Sequence, residues 1–308
     1  MAAGKLRIIC GPTAAGKSTV ALELAGTYNA AIVSADSRQI YRGFDIGTAK
    51  PTREDRARVT HYGIDVAEPA ERYSAAKWAS GAAEWIEKAR SADKHPVIVG
   101  GTGLYIKAFV EPLFPAPAVD SELRAKLARE LESKPVSELR RWCSELDSRR
   151  AHLGRTQLLR AIETAILSGS RMSDLHAAHK SSGGAAQERI DATYLVVDPG
   201  PSLAMRISSR VDRMISEGWA EEVAELSRTI LPGAPAWKAS GYSVMRSHVS
   251  GALSLSSARE RVIIETRQYA KRQRTWLKHQ LPGAAVTYVN PDDAHGLAAA
   301  RAWWESAE

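Results

Sequence analysis

Cysteine is almost absent: Cys10 and Cys143 are the only two in 308 residues. Two are too few for a disulfide framework, and they lack a Cys-x-x-Cys spacing, which suits a reducing compartment. No apolar run approaches membrane-spanning length, and the opening MAAGKLRIIC has no signal-like hydrophobic stretch, so a cytoplasmic protein with no membrane partner is expected. His176 and His179 lie close together without a matching set of Cys or acidic ligands, which argues against a metal site there. An acidic residue is also missing after the apolar run Pro96 to Val99, where a nucleotide hydrolase would carry its second motif. Gly100, Gly101 and Thr102 stand there instead. The net charge of +7 permits a polyanionic partner without requiring one.

What is present begins at Leu6 to Val20, LRIICGPTAAGKSTV. Gly11, Pro12, Thr13, Ala14, Ala15, Gly16, Lys17 and Ser18 complete a Gly-x-x-x-x-Gly-Lys-Ser motif with a strand signal before it and a helix signal after it. The loop amides and the helix N-terminus suit phosphate oxygens, Lys17 adds a point charge, and Ser18 can hold Mg2+ through its hydroxyl. A chance glycine-rich turn is the alternative. The loop by itself identifies a phosphorylated ligand, not a reaction.

Ala30 to Ser34 reads as a second strand that delivers Asp36, Ser37, Arg38 and Gln39 at its carboxyl end, where open parallel sheets bind ligands. Asp36 is the first catalytic candidate, with a helix cap or a neighbour of Mg2+ as its other readings. Tyr41 to Pro51 is loop, His61 to Val66 a short edge segment, and Ser74 to Arg90 an amphipathic helix with Trp78, Trp85 and Ile86 inside. Pro96 to Ile106 repeats the order of strand, glycine turn and helix, so a parallel α/β sheet is implied. Thr102 can present a hydroxyl to a ligand or serve the turn.

From Glu111 the texture changes. Pro112 to Val119 reads as a linker into a helical insertion with many arginines, Lys180 to Gln187 as an exit loop, and Ala192 to Asp198 as a returning strand. The expected organisation is a core of 1–118 and 188–308 with an insertion at 119–187. Leu203 to Leu226 is helical with a break near Gly218. Leu255 to His279 is a long helix whose Val262, Ile263, Thr266, Tyr269 and Ala270 can face a core. Its cluster of Arg267, Lys271, Arg272, Arg274 and Lys278 fits either phosphate-backbone contact or a solvated face.

GPTAAGKS at 11–18, SADSRQIYRGFDIGTAKP at 34–51, HYGIDV at 61–66, GGTGLYIKA at 100–108 and TRQYAKRQRTW at 266–276 closely resemble the bacterial tRNA dimethylallyltransferases, in order and over most of the chain. The resemblance implies a P-loop NTPase-like parallel sheet flanked by helices, with a helical insertion domain. It implies transfer of a dimethylallyl group from dimethylallyl diphosphate to the N6 amine of the adenosine 3′-adjacent to the anticodon in tRNA, with Mg2+ as cofactor. On that resemblance Gly11 to Ser18 and Arg210 bind the diphosphate, with Arg206 a further diphosphate or RNA contact, and Asp36 is the general base. Thr102 lies in the catalytic channel. Asp36, Ser37, Arg38, Gln39, Thr102, Arg124, Thr156, Gln157, Arg160, Lys271 and Arg272 contact tRNA, and the insertion embraces the anticodon stem-loop. The family's Asn-Asp-x-Gln-Arg-x-x-Arg signature is altered here to Gly154-Arg155-Thr156-Gln157-Leu158-Leu159-Arg160, and its Gly-Tyr-Lys/Arg-Gln turn to Gly241-Tyr242-Ser243-Val244. A P-loop small-molecule kinase and a prenyltransferase acting on free AMP or ATP are the competing expectations. A monomer is the expected state.

Overall fold

Along a strand, successive side chains point to opposite faces, and here both faces are apolar. Ile8 and Cys10 pack into one core with Val33, Ile98, Tyr194 and Val196, whereas Ile9 packs into another with Ile32, Val97, Val99, Leu195 and Val197. A sheet buried on both faces must be covered by helices twice over, and parallel pairing follows from the helical crossovers. The computed structural model describes residues 5–111, 117, 119–181 and 190–306. In chain order the elements are β1 (Leu6–Cys10), α1 (Lys17–Thr27), β2 (Ala30–Ser34), α2 (Arg53–Arg58), β3 (His61–Tyr62), α3 (Ala75–Ser91), β4 (His95–Gly100) and α4 (Gly103–Val110). Then come α5 (Ser121–Glu132), α6 (Val136–Leu146), α7 (Arg155–Ser168) and α8 (Met172–Ser181). The chain closes with β5 (Ala192–Val197), α9 (Leu203–Ser216), α10 (Trp219–Thr229), α11 (Tyr242–Val249), α12 (Leu255–Gln280), β6 (Val286–Val289) and α13 (Gly296–Glu305).

The strands form one parallel sheet in the order β3-β2-β4-β1-β5-β6. One core is closed by Trp78 of α3, Trp219 of α10 and Tyr242 of α11, and the other by Val20 and Leu24 of α1 with Trp303 and Trp304 of α13. Trp78 stacks on Tyr105 at 5.0 Å between ring centroids, and its indole N–H donates to the Ser34 carbonyl at 2.9 Å. Burying each such ring contributes about 2–3 kcal/mol. The short segment VTYV of β6 and the helix after it carried too little pattern to be read from sequence; β6 is held by its register on β5, Tyr194 beside Val286 through Val197 beside Val289.

The chain divides into two compact units, Met1–Val110 with Ile190–Glu308, and Glu111–Arg189. The second is all helical around Leu127, Leu131, Leu139, Cys143, Leu158, Ala161, Ile162 and Met172. Asp120 caps α5 by accepting from the amides of Glu122 and Leu123, each at 2.9 Å. Arg155 closes the other end of α5 by donating to the carbonyls of Lys134 and Glu132, both at 2.6 Å. Of the expected linker, 112–116 and 118 lie outside the described residues, as do 182–187 of the expected exit loop. Among the described residues, no helix is long and apolar enough to cross a membrane.

Candidate active site

Because β2, β4 and β1 are neighbours in the sheet, the loops at their carboxyl ends are neighbours too. One begins at Gly11, the second carries Ala35 to Gln39, and the third is Gly101-Thr102. The three backbones lie so close that a Cβ on Gly100 would sit 2.2 Å from the Ala35 carbonyl. The Thr102 N–H donates to that same carbonyl at 3.1 Å. The first two loops share a cleft of about 950 Å³ within the sheet-containing unit, lined by residues that include Lys17, Ser18, Asp36, Gln39, Arg210, Tyr269 and Gln273.

The phosphate loop has the geometry its sequence implies. Gly11 has φ +154°, and a Cβ there would lie 2.2 Å from the Val197 carbonyl; Gly16 has φ +96° and caps α1 in the left-handed region. The Lys17 ammonium donates to the carbonyl of Pro12 in its own loop at 2.8 Å. Burial pushes Lys17 down to about 8, Asp36 opposes that shift, and Arg210 reinforces it. Burial likewise holds Arg210 below the ordinary guanidinium value; it lines the cleft and donates to the Thr48 carbonyl at 3.4 Å. Arg206 also lines the cleft. It donates to the Ala14 carbonyl at 3.1 Å and pairs with Asp292 at 2.5 Å, so it braces the loop from the backbone side. Burial raises the Cys10 thiol to about 12, so this cysteine is an inert core residue.

Asp36 is half-buried, and its Oδ1 accepts from the Arg38 amide at 2.8 Å, a local turn that fixes the carboxylate at the end of β2. The Thr102 hydroxyl accepts from the Ser37 amide at 3.0 Å and lies 3.3 Å from the Ser37 hydroxyl. Gln39 spends its amide internally: Nε2 donates to the Ala49 carbonyl at 3.0 Å, and Oε1 accepts from the Ser34 hydroxyl at 3.0 Å. The loop that Gln39 steadies is anchored twice more. Buried Lys50 reaches Asp45 and Asp65, each at 2.6 Å, and Glu222 accepts from the Ile46 amide at 2.7 Å and the Tyr242 hydroxyl at 2.6 Å. Tyr242, in the altered Gly-Tyr turn, thereby packs inside and accepts from the Gly47 amide at 3.1 Å.

Helix α12 changes the reading of its own sequence. Tyr269 and Thr266, expected to face a core, line a small pocket beside Asp36 and Arg210. Burial, with Asp36 next, raises the Tyr269 hydroxyl to about 12. Arg274 is drawn out of the basic cluster by Asp198, whereas Lys271 and Arg272 remain exposed, the Arg272 guanidinium 5.8 Å from the Tyr269 ring. Gln273, inside the segment 266–276 but given no role there, connects the phosphate loop to Gly101.

The insertion holds the remaining candidates. Arg124 lies on α5 and pairs with Glu163 at 3.2 Å. Thr156, Gln157 and Arg160 lie exposed on the first turns of α7, where the Gln157 side chain accepts from the Gly154 amide at 3.2 Å. Among the described residues, no group of three or more His, Cys, Asp or Glu could hold a metal ion.

A phosphate loop, a carboxylate and a hydroxyl at adjoining strand ends define a P-loop α/β protein whose loop adjoins a candidate base. The IPP transferase model matches residues 39–280, and the isopentenyl transferase model matches 4–65. The chain is 38% identical to a tRNA dimethylallyltransferase of Cyanothece sp., covering 95% of this chain and 94% of that one, and 40% identical to that of Halorhodospira halophila, covering 91% of each. It also resembles the crystal structure of a tRNA isopentenylpyrophosphate transferase from Bacillus halodurans, with a TM-score of 0.69, 29% identity and coverage of 99% and 96%. A eukaryotic dimethylallyltransferase crystallised acting on tRNA shares the fold at a TM-score of 0.78 and 24% identity, covering 97% of this chain and 78% of that one. The chain belongs to the IPP transferase family, and it is a prenyltransferase with a P-loop NTPase-like fold.

Proposed function

We propose that this protein transfers a dimethylallyl group from dimethylallyl diphosphate to the N6 amine of the adenosine 3′-adjacent to the anticodon of tRNA. The observation that carries this reading is the shared cleft, which Lys17, Ser18 and Asp36 line together, with Thr102 bonded to Ser37 at the neighbouring strand end. The diphosphate occupies the loop between Gly11 and Ser18, with Arg210 beside it. Lys17 exchanges the Pro12 carbonyl for a phosphate oxygen and offsets the charge that grows on the leaving group as the allylic C–O bond breaks. The adenine N6 lone pair forms the new C–N bond, and its proton passes to Asp36, whose Oδ1 is already occupied by the Arg38 amide. Exocyclic adenine amines are poor nucleophiles because the lone pair is delocalised, so removal of that proton matters.

Ser18 fits Mg2+ better than any protein cage would. The described residues offer no ligand cluster, and Mg2+ is commonly held by one or two protein oxygens together with phosphate oxygens and water. Bound there, the ion would neutralise diphosphate charge. Ser37, Arg38, Lys271 and Arg272 of the core, and Arg124, Thr156, Gln157 and Arg160 of the insertion, are the proposed RNA contacts. A base held in an anticodon loop must leave its stack to enter the cleft.

The test is incubation with Mg2+ and radiolabelled dimethylallyl diphosphate, offered in parallel unmodified tRNA with adenosine after its anticodon, or AMP. Label in tRNA alone is expected. Label in AMP would assign the free nucleotide as acceptor. No transfer to either acceptor, with ATP consumed beside a small alcohol, would return the kinase reading.

A further inference from the structure

The proposed transfer chemistry makes no use of Gln273, yet both halves of its buried amide are committed. The Thr13 N–H of the phosphate loop donates to Oε1 at 2.8 Å, and Nε2 donates to the Gly101 carbonyl at 2.8 Å. A single side chain on α12 therefore ties the loop after β1 to the turn after β4. The contact has a steric requirement as well. A Cβ on Gly101 would lie 2.3 Å from Nε2 of Gln273 and 3.1 Å from the Gly11 carbonyl, so only glycine admits the amide at this distance. Gly101 precedes Thr102, whose hydroxyl meets Ser37 beside Asp36. The same tie thus fixes the phosphate loop relative to the residues that would meet the acceptor. Lys271 and Arg272, immediately before Gln273 on the helix, are exposed.

We propose that Gln273 is a positioning residue for the donor: it holds the phosphate loop in the shape that receives the diphosphate, acting through the Thr13 amide and the Gly101 carbonyl. The identity of the donor rests on the prenyl-transfer reading; the role of Gln273 in diphosphate binding does not. Without the tie, the loop keeps its glycines and Lys17 but loses the partner that sets its register against the turn after β4. The loss falls on the diphosphate, whereas the exposed face of α12 keeps its cations.

The experiment measures three quantities on the full chain: affinity for inorganic pyrophosphate with Mg2+, affinity for an anticodon stem-loop RNA, and the thermal midpoint. Gln273→Met keeps the length of the side chain and removes both hydrogen bonds. It should weaken pyrophosphate binding by about tenfold, the cost of leaving buried partners unpaired. RNA affinity should stay at its wild-type value, while the two unpaired partners lower the thermal midpoint modestly. Gly101→Ala should reproduce the defect by displacing the amide, and the double variant should bind no worse than the weaker single variant, because both act on one contact. Pyrophosphate affinity of Gln273→Met within twofold of wild type would overturn the proposal. So would an equal fall in RNA affinity, which would mark Gln273 as a general structural prop, or strictly additive effects in the double variant. A wild-type protein that binds pyrophosphate but moves no label from dimethylallyl diphosphate would remove the prenyl-transfer reading while leaving Gln273 to be judged by the pyrophosphate titrations.

Discussion

Arg274 grips Asp198 with two nitrogens, Nε on Oδ2 at 2.8 Å and Nη2 on Oδ1 at 2.5 Å, and Nη2 also donates to the Gly200 carbonyl at 2.7 Å. This forked geometry is one that lysine cannot reproduce. It ties α12 to the segment after β5. Arg274→Lys should therefore lower stability by about 1 kcal/mol after allowance for solvent screening, a shift of about 2–4 °C in a thermal melt. The salt dependence of RNA binding should not change. A variant that melts like the wild type but loses RNA affinity would reassign Arg274 to the RNA.

Asp36 should matter to the rate and little to the donor. Asp36→Ala removes the proton acceptor and should slow single-turnover transfer by roughly 10²- to 10⁴-fold with pyrophosphate affinity largely retained. Near-normal turnover would remove the general-base role and leave Asp36 as a turn former through its bond to the Arg38 amide.

The exposed cations of α12 can be tested by salt. Replacing Lys271 and Arg272 together with Gln should reduce the slope of log affinity for tRNA against log salt by about two units at most. An unchanged slope would mean that neither side chain meets a phosphate, and that Arg272 serves only to cover Tyr269.

Asp65 gives a pH-dependent prediction. Burial works to raise its carboxyl, but hydrogen bonds and charge from Lys50 and Arg56 outweigh that and hold it below the ordinary carboxylate value. A carboxyl lowered by folding stabilises the protein above its unfolded pKa, and that stability is lost as pH falls through the folded value. Asp65→Asn should thus lower stability at pH 7 by about 2 kcal/mol, less than for a fully broken buried pair because Asp45 still faces Lys50. The gap between variant and wild type should narrow in melts at acidic pH, below the ordinary carboxylate range. A gap independent of pH would mean that packing, not charge, is what Asp65 supplies.

Strand, loop and helix at Leu6 to Leu24 were legible because the phosphate loop dictates its own backbone: Gly11 and Gly16 at positive φ, joined there by Ala14, an apolar run before, a helix after. The same holds for the parallel sheet, since two-sided burial leaves continuous runs such as Ala30 to Ser34. Asp36 and Thr102 were legible as candidates because each follows a strand end. The internal partners of Arg206 and Arg274 were not legible. A cation in sequence looks alike whether it meets solvent, RNA or an internal carboxylate, and Asp292 and Asp198 are far from them along the chain.

The sequence by itself determined the local conformations, the two-sided apolar strands and the presence of a phosphate-binding loop, because these depend on residues within a few positions of one another. Only the tertiary structure decided that β2, β4 and β1 lie side by side, and hence that Asp36 and Lys17 share one cleft with Thr102 bonded to Ser37 next to Asp36. It alone turned Tyr269 from a core residue into a cleft wall and gave Gln273 a task, for the partners of Gln273 are Thr13 and Gly101, 260 and 172 positions away. Helical spacing reports which face of α12 is inward; it carries no information about what that face will meet.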